Sequence, residues 1–198
     1  MKVAGIVLAA GRSTRMRVNK LLLRVEGDTL VRRAARVALE AGLEPVVVVL
    51  GHDADLVARD LEGLPCASVV NPRHALGLAT SLDAGIAAVP ADAAAAVVLL
   101  ADMPLVTAPM IRTLLDRHRD TGAALVASRY GAVVAPPALY ARAVFGELRG
   151  GEGEGRGREV LARHASEVAW ADWPAEALAD VDEAADLEQA RRRAGTPP

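Results

Sequence analysis

Apolar and polar positions alternate along this chain in blocks rather than residue by residue. Short runs rich in Val, Leu, Ile and Ala are Val3–Ala9, Pro45–Leu50, Cys66–Val70, Ala96–Ala101, Ala124–Ser128 and Val168–Ala171. They are continuously apolar, as strands are when both faces of a sheet are covered. Between them lie segments of helical period: Thr29–Ala41, Ala54–Leu61, Leu78–Val89, Pro109–Thr121, Pro137–Leu148, Arg158–His164 and Glu183–Arg193. Strands alternating with helices predict an α/β chain: a doubly wound, three-layer α/β/α sandwich with a mostly parallel sheet. Gly42 and Thr107 sit where a C-terminal and an N-terminal helix cap are expected.

At 198 residues the chain is sized for a single domain, expected over 1–195, with halves at about 1–105 and 106–195. Aromatic residues are only 3% of the chain, so the core must be aliphatic. A net charge of −2 offers no general attraction to nucleic acid or an anionic membrane, so any anion site must be local. Cys66 is alone and forms no internal disulfide. The first ten residues resemble a short signal peptide, but a Gly-Arg pair follows with further arginines and no cleavage pattern. No apolar run approaches the roughly 20 residues that span a bilayer. The expectation is a cytoplasmic protein with neither nucleic acid nor membrane as partner.

The densest chemical signal follows the first strand, in Leu8-Ala9-Ala10-Gly11-Arg12-Ser13-Thr14-Arg15-Met16-Arg17-Val18-Asn19-Lys20. In an open parallel sheet, ligands bind at the carboxyl ends of the strands. Ala9, Ala10 and Gly11 let a ligand approach the backbone, whose N–H groups can cradle an anion. Arg15 and Lys20 add positive charge suited to a triphosphate. A Walker A loop is excluded because no Gly-Lys-Ser/Thr is present, and a dinucleotide fingerprint because only Gly11 lies in the turn. The residues alone also permit a plain strand-to-helix loop with solvated arginines.

Residues 8–23 resemble the opening motif of the molybdenum cofactor cytidylyltransferases, Leu-Ala-Ala-Gly-x-Ser-x-Arg-Met-Gly-x-x-Lys-Leu-Leu-Leu, with Arg17 in place of a glycine. That family belongs to a nucleotidyltransferase group with a Rossmann-like fold, which also contains the molybdenum cofactor guanylyltransferases. The resemblance implies that Leu8, Ala9, Ala10, Gly11, Arg12 and Ser13 wrap the triphosphate while Arg15 and Lys20 neutralise it.

Asp102-Met103-Pro104 ends the fourth predicted strand. A carboxylate there faces the same crevice, and Mg²⁺ takes one or two such ligands beside water and phosphate oxygens. The family uses the aspartate of its Asp-Met-Pro as a metal ligand, which implies that role for Asp102. Asp182, in Asp180-Val181-Asp182-Glu183, stands where relatives place a second metal-binding aspartate, but it is equally suited to capping the last helix. Asn71-Pro72 followed by Gly77-Leu78-Ala79-Thr80-Ser81-Leu82 resembles the segment that lies against the nucleotide base, with Gly77 for close approach and Ser81 for the base edge. His74, His52 and His118 lack partners at metal-ligand or triad spacing, and His74 reads as a loop residue.

The acceptor half matches less well. Pro137, Leu139, Phe145, Glu147 and Leu148 fit the family pattern, but Ala135 replaces a glycine and Tyr140 a phenylalanine. Gly153-Glu154-Gly155-Arg156-Gly157-Arg158 echoes Gly-Asp-x-Gly-Ala-Arg with Arg156 in place of a glycine, and Arg158 is implied as a contact for the acceptor phosphate. Five glycines in Gly150–Gly157 read as a mobile surface loop, either connector or substrate lid.

The resemblance implies Mg²⁺-dependent transfer of CMP from CTP to a molybdopterin-type phosphorylated acceptor, serving a molybdenum hydroxylase as client. Leu-Ala-Ala-Gly, rather than Leu-Ala-Gly-Gly, favours CTP over GTP. The alternatives are a GTP-dependent guanylyltransferase, an NAD(P)H-dependent oxidoreductase and a cofactor chaperone.

Overall fold

The computed structural model describes residues 1–11, 19–181 and 184–194. Its centre is a seven-stranded sheet built from β1 (Val3–Ala9), β4 (Val46–Leu50), β5 (Ala67–Val70), β6 (Ala95–Leu100), β7 (Leu125–Tyr130), β8 (Val133–Ala141) and β9 (Val168–Trp173). The strand order is β5-β4-β1-β6-β8-β7-β9. Every neighbouring pair is parallel except the two that involve β8, which runs against both β6 and β7. This is the doubly wound α/β fold that the alternating pattern predicts.

Side chains along β1 take turns on the two faces, as the strand period of two requires. Val3, Val7 and Ala9 enter one core, and Ala4, Ile6 and Leu8 the other. The first core is covered by α1 (Leu30–Glu40), α2 (Ala54–Asp60) and α4 (Ala108–Thr121). The second is covered by α3 (Leu78–Ala87), α5 (Phe145–Leu148) and α6 (Arg156–Arg163). A small hairpin, β2 (Arg24–Val25) and β3 (Asp28–Thr29), turns through Glu26 and Gly27, both with positive φ as such a tight turn demands. Its Val25 packs with Leu30, Val181 and Leu187, the last from α7 (Ala184–Ala194). Among the described residues no helix is long and apolar enough to cross a membrane.

Three expectations need correction. Pro137–Leu148 is not one helix: residues 137–141 complete β8, Arg142–Val144 form a 3₁₀ turn, and only Phe145–Leu148 is α-helical. Leu139 faces one core and Ala138 and Tyr140 the other, so the segment is a doubly buried strand whose small residues imitate a helix. Its two prolines lie near a break in the β7–β8 register between Ala127 and Arg129, where the Ser128 hydroxyl donates to the Pro137 carbonyl at 2.7 Å. Bulges are where a sheet tolerates proline. Thr107 does occupy the N-cap position of α4, but its side chain makes no capping hydrogen bond. Gly150–Gly157 is not a free loop, because Arg156 and Gly157 open α6 and the preceding residues are tied down as described below.

Candidate functional site

Because β1 and β6 are adjacent and parallel, with Leu8 paired to Leu100, the chain leaves both strands on the same rim of the sheet. There Ala9–Gly11 and Ala101–Met103 run side by side, joined by the Ala101 N–H donating to the Leu8 carbonyl at 3.1 Å. Between them opens a cleft of about 390 Å³ lined by Ala9, Ala10, Gly11, Lys20, Gly77, Ser81 and Asp102, with Leu8 in its wall. The structure therefore gathers the described members of the predicted nucleotide site in one place. Arg12, Ser13, Arg15, Arg17 and Asp182 lie outside the described residues.

Lys20 and Asp102 meet across this cleft, with Lys20 Nζ 2.7 Å from Asp102 Oδ2 and both side chains largely buried. Neither is left to chance. Asn19 caps the short 3₁₀ turn Lys20–Leu22 by accepting a hydrogen bond from the Leu21 N–H at 3.0 Å, and Leu21 is itself buried. The Asn19 amide also donates to Asp53 at 3.3 Å, tying this turn to the chain that follows β4. Behind Asp102, Met103 is buried and the Arg33 guanidinium donates to the Pro104 carbonyl at 2.8 Å. The Asp102 carbonyl accepts from the Val181 N–H at 3.0 Å, which ties the chain at Val181 to the Asp102 backbone. Among the described residues Asp102 Oδ1 makes no protein hydrogen bond, and no three His, Cys, Asp or Glu side chains gather as a metal cluster.

On the opposite wall, Asn71 organises the start of α3. It is 2% exposed, and its amide donates to Thr80 Oγ1 at 2.8 Å and Ser81 Oγ at 3.0 Å. Its carbonyl oxygen accepts from the Arg73 N–H at 2.9 Å, holding the turn that carries His74. Ser81 thus reaches the cleft with its hydroxyl already engaged. His74, in the turn between β5 and α3, is half-buried and lines the cleft. A Cβ at Gly51 would lie 2.7 Å from the His74 side chain and 2.8 Å from that of Ala10, so Gly51 makes room for His74 at the rim.

Residues 150–155 cross this wall as a strap. The Gly153 N–H donates to the Leu76 carbonyl, and the Gly153 carbonyl accepts from the Ala79 N–H, each at 2.8 Å. Gly77 sits beneath at φ +106, where a Cβ would lie 2.5 Å from Gly153 O. The backbone that approaches Gly77 closely is therefore the strap's. Asp83 holds the strap's root, accepting from Arg149 at 3.0 Å, Gly150 N–H at 3.2 Å and Arg73 at 2.9 Å. Burial pushes the Asp83 carboxyl up, but these hydrogen bonds and the Arg149 and Arg73 charges outweigh it and hold it below its usual 3.8. Glu154, on the strap, lines the cleft. Arg158 does not reach this cleft and stands instead at an adjoining cavity. Sequence reasoning missed Asn71 as an organiser, Asp83 and Glu154; of these, only the Asn71-Pro72 dipeptide after a strand gave a signal.

The chain belongs to the MobA-like NTP transferase domain family, matching it over residues 5–168. It is 36% identical over 146 residues to the bifunctional protein GlmU of Pelotomaculum thermopropionicum, an alignment covering 73% of this chain and 31% of that protein. The chain spans about a third of the length of the curated relatives it matches. Among solved structures it is similar to Rv0371c from Mycobacterium tuberculosis H37Rv, with TM-score 0.85, 27% identity and coverage of 96% and 98% of the two chains. A manganese complex of Rv0371c aligns with TM-score 0.79 and 26% identity, covering 96% of this chain and 98% of that one.

Proposed function

We propose that the chain is a nucleotidyltransferase that moves CMP from CTP, with Mg²⁺, to the phosphate of a molybdopterin-type acceptor and releases pyrophosphate. The observation that carries this reading is the Lys20–Asp102 pair, 2.7 Å apart in a cleft that Ala9, Ala10 and Gly11 also line. A cation beside a carboxylate, under small residues at the carboxyl ends of parallel strands, suits a metal-bound triphosphate. The family match supports the transfer chemistry, and the motif at residues 8–23 supports cytidine and the pterin acceptor.

In this reading Ala9, Ala10 and Gly11 admit the triphosphate against the main chain, and Leu8 walls the cleft. Lys20 offsets charge on the departing pyrophosphate, joined by Arg15 and the Arg12-Ser13 backbone. Gly77 and Ser81 border the base. An acceptor phosphate oxygen bonds to the α-phosphorus as the bond to the β-phosphate breaks, so the protein need supply no covalent nucleophile. Its contribution is positioning and charge. Asp102 fits a hard divalent cation: one oxygen is held by Lys20, and the other makes no hydrogen bond among the described residues. Bound there, with Asp182 as second ligand, Mg²⁺ would supply positive charge to the phosphate oxygens. The existence of a manganese complex of the similar Rv0371c supports use of a divalent ion.

Calorimetric titration with CTP and GTP, each with and without Mg²⁺, tests the reading. The expected result is Mg²⁺-dependent CTP binding that Asp102→Ala removes and GTP does not reproduce. Tight GTP binding instead would assign guanylyl transfer, and binding of neither would overturn the proposal.

A further inference from the structure

A second cavity, of about 130 Å³, adjoins the nucleotide cleft and shares with it the walls Leu8, Leu78, Leu100 and Glu154. Its interior is apolar: Leu82, Val98, Val134, Pro136, Ala138 and Leu161 enclose it. Protein cavities of roughly this size and character take up a single benzene-sized ring. Polar groups stand only around it. The polar residues along its walls are Tyr140, Glu154, Arg156 and Arg158.

The two arginines are notable for what they do not bind. Arg156 is 28% exposed, and its ion pair with Glu159 is long, at 3.9 Å. Among the described residues Arg156 makes no hydrogen bond, and Arg158 makes neither a hydrogen bond nor an ion pair. Arg156 reaches its place because Gly151 has no side chain: a Cβ there would collide with the guanidinium. The Tyr140 hydroxyl lies 3.4 Å from the Gly157 carbonyl, a long contact that leaves it able to donate elsewhere. Two guanidinium groups that make no hydrogen bond among the described residues, one with only a long ion pair and the other with none, beside an apolar chamber suit an anion attached to an apolar body.

We propose that this cavity is the acceptor's body subsite, taking a ring-sized apolar group one or two bonds from a phosphate monoester that Arg156 anchors. The acceptor role rests on the nucleotidyl-transfer reading; the ligand class does not, and an apolar ring bound here would replace the molybdopterin-type acceptor of that reading. Arg156 then acts as a positioning residue that turns the phosphate toward the neighbouring cleft. The ring lies among Leu82, Val98 and Leu161, with its phosphate at Arg156 on the polar edge of the cavity.

The test titrates the full chain, without nucleotide, with benzyl phosphate, inorganic phosphate and benzyl alcohol, and CTP with Mg²⁺ in parallel. Benzyl phosphate should bind about tenfold or more tightly than either fragment, because ring burial and a charge-assisted contact act together. Arg156→Gln should weaken it about tenfold, the loss expected for one charge-assisted hydrogen bond. Val134→Trp, which fills the chamber, should erase the advantage over inorganic phosphate; melting curves verify that both variants fold. Equal binding of benzyl phosphate and phosphate, or an advantage that survives Val134→Trp, would overturn the proposal. A preserved advantage in a protein that binds no CTP would uphold the subsite while removing the transfer reading.

Discussion

Lys20 and Asp102, 82 positions apart in sequence, form a 2.7 Å ion pair at the junction of the first and fourth strand ends of the parallel half-sheet. The pair exists because parallel pairing of β1 with β6 fixes Asp102 and because Asn19 and buried Leu21 fix Lys20. Substituting either should therefore injure transfer more than folding. Lys20→Ala and Asp102→Asn are expected to lower the rate of pyrophosphate release by about 10²–10³-fold, the range for losing one preorganised electrostatic group. Asp102→Asn should also flatten the dependence on Mg²⁺ concentration. Unchanged turnover in both variants would remove the pair from the mechanism.

Asp83 is the hinge post of the strap. Its carboxylate receives Arg73, Arg149 and the Gly150 N–H together on two oxygens, so Asp83→Asn removes the negative charge and turns one acceptor into an NH2 facing a donor, and should destabilise the fold by about 1–3 kcal/mol. Its depressed pKa gives the sign with pH. The contribution is present above the ordinary value of 3.8 and is lost as pH falls below it through the lower folded value. Hydrogen exchange should show residues 150–154 losing protection in Asp83→Asn at neutral pH, and in the wild type only below about pH 4.

Gly77→Ala should be costly in a way ordinary helix-start substitutions are not. The residue sits at φ +106, a conformation L-residues rarely adopt, and the new methyl would meet Gly153 O at 2.5 Å. Strain of about 1–3 kcal/mol is expected. Relief requires lifting the strap, so nucleotide affinity should fall along with the melting temperature. Gly63→Ala is a useful comparison, because it also has positive φ but nothing lies within 4 Å of its Cβ position. A Gly77→Ala protein no less stable than Gly63→Ala would show that the close packing carries little weight.

The parts legible in the sequence are those governed by local pattern or by strand-end geometry. Val3–Ala9, Ala54 onward and the helix from Leu78 were readable because burial of both sheet faces leaves uniform apolar runs, separated by amphipathic helices. Ala10, Gly11 and Asp102 were placed by the convergence of strand ends in a parallel sheet. Lys20, which lies well past the end of β1, was read instead from its charge and the motif at residues 8–23. β8 was not, since Ala138-Leu139-Tyr140 serves both cores and carries no polar marker to reveal its period of two. Nor was the Asp83 clasp: its partners lie ten and sixty-six or more positions away, and nothing in the local sequence distinguishes it from a solvated helix carboxylate.

Asn71 offers the sharpest separation of architecture from chemistry on the base side of the cleft. Its amide donates to both Thr80 and Ser81, while Thr80 Oγ1 lies 3.0 Å from the Arg73 carbonyl and 2.9 Å from that of Gly77. Asn71→Ala strips donors from two buried hydroxyls and an acceptor from the Arg73 N–H, so a loss of about 1–3 kcal/mol in urea unfolding is expected. Ser81→Ala removes only one end of one bond and should cost less, about 1 kcal/mol. If Ser81 borders the base, the order reverses for ligand selection: Ser81→Ala should alter the CTP-to-GTP affinity ratio more than Asn71→Ala does. Both variants shifting that ratio in proportion to their loss of stability would instead mean that Ser81 serves only to hold α3 in place.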